Sequence, residues 1–152
     1  MARIETAAHI EAPVEAVWDV LTDWESQPRW MHDAKAVVVT SPQRVGVGTV
    51  LRCPTNIALG LIIDDILEVT EWVEHRRVGV LHRGLVIRGV GAFELSPTPH
   101  GTHFVWWEEV AAPLGDFGDQ LVSVFAVPYV TRIFRRSLAN LKRVCESVAV
   151  RP

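Results

Sequence analysis

The chain has 152 residues, about half of them hydrophobic, with six tryptophans and a formal net charge of −3. Such a composition can bury a sizeable core, which excludes a disordered tail, and the length fits a single domain over 1–152. Fifteen Lys and Arg against eighteen Asp and Glu give no clustered positive face, so nucleic acid is not an expected partner.

The short basic stretch RIFRRSLANLKR reads as the solvated face of a helix. Cys53 and Cys145 are far apart and outside any CxxC spacing, which fits a reduced, cytoplasmic setting better than a disulfide framework. The first residues, MARIETAAHIEAP, lack the basic-then-apolar order of a signal peptide. The apolar run LVSVFAVPYV at 121–130 is about half of a bilayer span and carries Pro128, so no stable membrane insertion is expected.

In chain order, residues 3–11 alternate Ile4, Thr6, Ala8 and Ile10 against Arg3, Glu5, His9 and Glu11, the period of a half-buried strand. Pro13 then precedes Val14, Val17, Trp18 and Leu21 at helical spacing. A second short helix is expected at 26–32, with Ser26 as its cap and Trp30 and Met31 as its apolar contacts.

Lys35–Ser41 is a β-branched run. Strands are expected after it at 49–57, 62–73, 77–83, 86–96 and 102–111, at intervals too short for crossover helices. The sheet should therefore be an antiparallel meander.

From Phe117 through Leu121, Val124, Pro128, Thr131, Phe134, Leu138, Leu141 and Cys145 to Val148, apolar positions recur every three or four residues. One long helix over 114–148 follows, with a kink or break near residue 127 at Pro128. Its first half, 121–134, is apolar nearly all round, which points to burial on more than one side.

The stretches IEAPVEAVWDVLTDWESQPRW at 10–30, VGVGT at 45–49, LEVTEW at 67–72, GTHFVWWEE at 101–109 and RRSLANLKRVCE at 135–146 occur in one order along nearly the whole chain. In that order they resemble the START-related helix-grip superfamily, which includes polyketide cyclase/dehydrase-like and birch-pollen-allergen-like proteins. The resemblance implies an α+β helix-grip fold: a strongly curved seven-stranded antiparallel sheet around a long C-terminal helix, with two short helices after the first strand. It also implies an apolar cavity for a hydrophobic small molecule, lipid or polyketide-like. It implies no single activity, because function lies in the site and not in the fold.

Strand parity sorts the candidates. On 86–96, Ile87, Gly89, Gly91, Phe93 and Leu95 share the face free of charge and read as interior. The two glycines serve either a sharp bend of the sheet or room for a ligand. On the last strand Phe104, Trp106 and Glu108 read as interior. Val105 and Trp107 then face outward, joined by Trp72, as an apolar patch that a homodimer could bury.

On 62–73 each face carries two acids, so charge does not choose between them. The likeness of LEVTEW to the family turns Leu67, Val69 and Asp65 inward and leaves Asp64 outside. The alternative places both aspartates, wetted, at a strand start beside a turn. An inward Asp65 would need a donor, a water or a ligand.

His82, in VGVLHRG, has the parity of an interior residue beside an acid on a neighbouring strand. His100 and His103 form HxxH across a turn and lack a third ligand, GVG at 46–48 reads as a hairpin turn, and no nucleophile–base set assembles; neither a metal nor a cofactor is expected.

The functional expectation is a carrier or sensor whose cavity is lined by Trp18, Leu67, Val69, Phe93, Phe104, Trp106, Leu121, Val124 and Phe125. Asp65, His82 and Glu108 would orient the polar end of the ligand. The alternative is a polyketide cyclase/dehydratase-type enzyme in which those three groups move protons.

Overall fold

The computed structural model describes residues 1–111, 116, 118, 120, 124 and 126–150. Strand β1, Ala2–Ile10, leads into helix α1, Val14–Thr22, and a 3₁₀ helix, Trp24–Arg29. Six further strands follow: β2 Val38–Val39, β3 Val50–Ala58, β4 Leu61–Val73, β5 Arg77–Arg83, β6 Arg88–Thr98 and β7 Gly101–Ala111. Helix α2, Val127–Val150, completes the described chain.

The seven strands form one antiparallel sheet in the order β1-β7-β6-β5-β4-β3-β2. Sequential hairpins account for every neighbour except β1 with β7, which closes the sheet against its own beginning. This is the helix-grip architecture, with the short helices after β1 and the long helix last. The alternation in β1 buries Ala2, Ile4, Thr6 and Ile10, leaves Ala8 partly covered and exposes the residues between.

The second helical segment differs from its sequence reading. It is a 3₁₀ turn beginning at Trp24, and Ser26 lies inside it with its hydroxyl donating to the Asp23 carbonyl at 2.8 Å. The anchor is Trp24, which is buried and donates Nε1–H to the Arg44 carbonyl at 2.9 Å. Pro128 is the second residue of α2, and the described residues 124 and 126 just before it are π-helical, an irregularity of the kind found where a helix passes a proline. The part of the expected helix over 114–125 falls largely outside the described residues.

Strand β4 contains a β-bulge. Val69 faces Val80 on β5 and Glu71 faces Gly79, so Thr70 is the extra residue. The insertion reverses parity, and Trp72 turns inward beside Val69's face, meeting Trp18 edge-on at 5.0 Å and Trp24 at 6.3 Å.

The expected outer patch of Trp72, Val105 and Trp107 is therefore not formed. Trp107 remains outside but is covered by the Arg3 and Arg77 guanidinium groups, 4.5 and 5.7 Å from its ring centre, and it donates to Glu94 at 2.8 Å.

Gly89 has φ +151, and a Cβ there would lie 1.9 Å from the Glu109 carbonyl oxygen. That glycine serves the close approach of β6 and β7 where the sheet bends.

Candidate functional site

Between the concave face of the sheet and α2 lies a cavity of about 360 Å³. Its walls are apolar: Leu51, Leu67, Val78, Val80, Phe93 and Trp106 from the strands, Val127, Val130, Ile133 and Phe134 from α2, and Trp24 and Met31 from the segment after α1. Trp106 and Phe134 join the two sides by stacking at 3.7 Å with an interplanar angle of 14°.

Of the lining residues expected from sequence, Leu67, Phe93 and Trp106 take that position. Trp18, Val69 and Phe104 are buried but do not line the cavity. Trp18 is on α1, packed on Trp72 and His75. Val69 is pinned at the bulge, its N–H donating to the Thr49 carbonyl at 2.8 Å, and Phe104 packs against Phe93 with ring centres 5.6 Å apart. Parity alone says which face these residues occupy and not how far along the sheet the cavity reaches. Val124 is 64% exposed and lines nothing, while Leu121 and Phe125 lie outside the described residues.

The polar part of the wall is built across four strands. Asp65 on β4 is buried, whereas Asp64 points outward to Arg52 at 2.8 Å. His82 on β5 places Nδ1 2.9 Å from one Asp65 carboxylate oxygen and 3.1 Å from the other. A carboxylate only accepts, so Nδ1 carries the proton in this pair and Nε2 is turned toward Glu108, 3.8 Å away on β7. The three side chains are 2%, 9% and 18% exposed for His82, Asp65 and Glu108.

Strand β6 separates His82 from Glu108, and they meet because position 91 is glycine. A Cβ at Gly91 would lie 2.9 Å from Glu108 Cγ and 3.6 Å from His82 Nε2. Unlike Gly89, Gly91 has an ordinary backbone, so room between two side chains is what this glycine supplies.

The electrostatics follow from burial. Loss of water pushes the Glu108 carboxyl up to about 7, against the attraction of His82 and with the repulsion of Asp65 and Asp33. Burial also pulls His82 down, but Glu108 and the hydrogen bond and charge of Asp65 together outweigh it, so its pKa is raised. Glu108 also accepts the Trp106 Nε1–H at 3.2 Å. His82 Nε2 itself has no hydrogen-bond partner.

A fourth ionisable group, Asp33, was not legible in the sequence. It sits in the loop after the 3₁₀ helix, lines the cavity, and is raised above its ordinary range chiefly by burial. Backbone bonds hold the loop against β3: Asn56 N–H to the Asp33 carbonyl at 2.9 Å and Lys35 N–H to the Pro54 carbonyl at 2.8 Å. The polar run HDAK carries no sign that one member turns inward. Cys53 and Thr55 also line the wall; burial pushes the Cys53 thiol up to about 11, leaving it protonated and unreactive at neutral pH.

His100 and His103 are both exposed on the far hairpin. Among the described residues no group of three or more His, Cys, Asp or Glu is arranged to hold a metal ion.

A buried imidazole oriented by one carboxylate and facing a second carboxyl can hold or move a proton, or bind a polar group, at the wall of an apolar chamber. The sequence agrees with that architecture: residues 1–146 match the model of the family described as polyketide cyclase/dehydrase and lipid transport. The chain belongs to that family.

An uncharacterised protein of Mycobacterium tuberculosis is 28% identical over 137 residues, which cover 88% of this chain and 78% of the relative. A protein of Thermus thermophilus has a similar structure at TM-score 0.82 and 19% identity, with 97% and 99% of the two chains covered. The Zhui aromatase/cyclase from a Streptomyces species is similar at TM-score 0.79 and 17% identity, over 95% of this chain and 93% of that one. Identities this low between solved structures speak for the shared fold. No described helix is long and apolar enough to cross a membrane.

Proposed function

We propose that this protein binds a hydrophobic or aromatic small molecule in the chamber between sheet and α2, with the polar end of the ligand at His82 and Glu108. The observation that carries this reading is the unpartnered Nε2 of a buried, Asp65-oriented histidine at the wall of an otherwise apolar cavity. The volume falls within the range of small-molecule sites. A ligand hiding about 300 Å² of apolar surface would gain on the order of 7 kcal/mol before the costs of association.

The test is native mass spectrometry of protein purified from its own host, together with displacement of a hydrophobic fluorescent dye. Val80→Phe, which narrows the chamber, should weaken dye binding at least tenfold. Protein that carries no ligand and binds no dye would overturn the proposal.

A second reading, a cyclase/dehydratase-type enzyme, is favoured by the same His82–Glu108 juxtaposition. There neutral His82 Nε2 would take a proton from carbon beside a ketone, with Asp65 stabilising the imidazolium, and the Glu108 carboxyl would donate to the oxygen. Asp65→Asn, His82→Ala and Glu108→Gln should then each lower turnover of a poly-ketone at least tenfold. Unchanged turnover in all three would remove the enzyme reading and leave the binding one.

A further inference from the structure

The polar wall is one-sided in charge. Among the described residues, the lining carries Asp33, Asp65 and Glu108 and contains neither lysine nor arginine. The three acids lie close enough together to raise the pKa of the same thiol, that of Cys53, and Asp33 and Asp65 each act on Glu108. In a chamber with apolar walls such repulsion is relieved by protons or by a cation from outside the chain.

The unpartnered atoms of the lining have the same bias. Asp33 Oδ1 and Asn56 Oδ1 are buried acceptors with no donor, and both residues line the cavity. His82 Nε2 is the third: its side chain is only 2% exposed, Nδ1 already serves Asp65, and in the neutral ring Nε2 is an acceptor too. Four of the lining side-chain donors are already engaged, Trp24 on Arg44, Gln27 on Leu21, Thr55 on Cys53 and Trp106 on Glu108, and the Asn56 amide brings no charge. What the wall lacks is a donor bearing positive charge.

We propose that the chamber is selective for an amphipathic amine, a primary or secondary ammonium on an aliphatic or aromatic body, whose N–H groups are taken by His82 Nε2 and Glu108 with Asp33 adding charge. This rests on the binding function proposed above and specifies its ligand class. A carboxylate-headed molecule, a fatty acid for example, would meet three acids and is disfavoured.

Binding is then linked to protons. The ammonium replaces the proton otherwise held at His82 or Glu108, so complex formation at neutral pH releases protons and affinity rises as those groups ionise. The groups facing the head are Asp65 on β4, His82 on β5, Glu108 on β7 and Asp33 in the loop, with His32 beside Asp33 and the protonated thiol of Cys53 on β3. The lining from β1, β6 and α2, with Ala126 just before the helix, brings no charge.

Calorimetry with octylamine, octanol and octanoate, which share one tail, tests the proposal. At pH 8 octylamine should bind at least tenfold tighter than octanoate, and its affinity should fall at least tenfold by pH 5.5. Titration at pH 7 in buffers of different ionisation enthalpy should show proton release with octylamine. Asp33→Asn combined with Glu108→Gln should abolish the preference for octylamine over octanoate, with an unchanged far-ultraviolet spectrum and cooperative urea unfolding as the control for folding.

Octanoate binding as tightly as octylamine at pH 8, or no proton release, would overturn the amine assignment. If octanol still binds in that case, the binding function survives. Failure of all three molecules would overturn both.

Discussion

His82 Nδ1 and Asp65 Oδ2 lie 2.9 Å apart, and neither side chain is more than a tenth exposed. Groups held this way are stable mainly in each other's company, because removing one leaves the other buried without its counter-charge. His82→Ala should cost about 3 kcal/mol at pH 7, and Asp65→Asn with His82→Ala should cost less than the sum of the two single changes. Urea unfolding of the four proteins measures the coupling; strictly additive losses would mean that the pair does not act as a unit.

Glu108 makes stability depend on pH. Its pKa is raised from 4.5 to about 7 on folding, so its favourable contribution is complete below pH 4.5 and is lost as pH rises through 7. The ionised carboxyl is penalised by up to about 3 kcal/mol. Glu108→Gln should therefore flatten the fall in stability between pH 4.5 and 8 and gain most above pH 7. His82, also raised, works in the same direction: its contribution is present below 6.5 and lost as pH rises through its folded value, and because Glu108 is its largest upward influence this part should shrink in the variant too. Urea midpoints at pH 5 and pH 8.5 decide; a variant with the native pH slope would refute the assignment.

Gly91→Ala should lower stability by about 1–3 kcal/mol, since the new methyl would have to displace Glu108 Cγ and crowd His82 Nε2. The change should also lower the pKa of His82 by separating it from Glu108. Titration of the His82 ring protons by NMR reads this directly, and an unmoved midpoint would show that the two groups do not need the gap.

Phe134→Ala removes the stack on Trp106 that ties α2 to β7. A cost of about 3–5 kcal/mol is expected for a buried phenylalanine. Thermal unfolding should shift accordingly, with a loss of near-ultraviolet ellipticity from Trp106. A change under 1 kcal/mol would mean that the helix is held elsewhere.

Strand order, the position of the last helix and the inward set Phe104, Trp106 and Glu108 were legible because two-residue alternation and short turns leave few alternatives. Asp65 came from likeness to a family pattern, because charge on β4 is balanced between its faces. Trp72 was misplaced since a bulge changes parity without leaving a residue-type signature in VTEW. Asp33 was missed because a loop has no period to read, and its inward turn depends on backbone bonds to β3. Val69 and Phe104 were assigned to the correct side of the sheet and Trp18 to the buried face of α1, but the extent of the chamber depends on sheet curvature, which residue pattern does not encode.

The extra residue at Thr70 divides β4 into two segments with opposite reading frames. Upstream, odd-numbered positions such as Asp65 meet the chamber; downstream, even-numbered Trp72 joins the tryptophan cluster around α1. Adaptation of the chamber to a new ligand can therefore proceed upstream without disturbing the aromatic packing that anchors the other end. Deleting Thr70 would leave Val69, Glu71 and Trp72 opposite Val80, Gly79 and Val78 in an unbroken ladder, so Asp65 and Trp72 would both keep their inward faces and only the local kink of the strand would go.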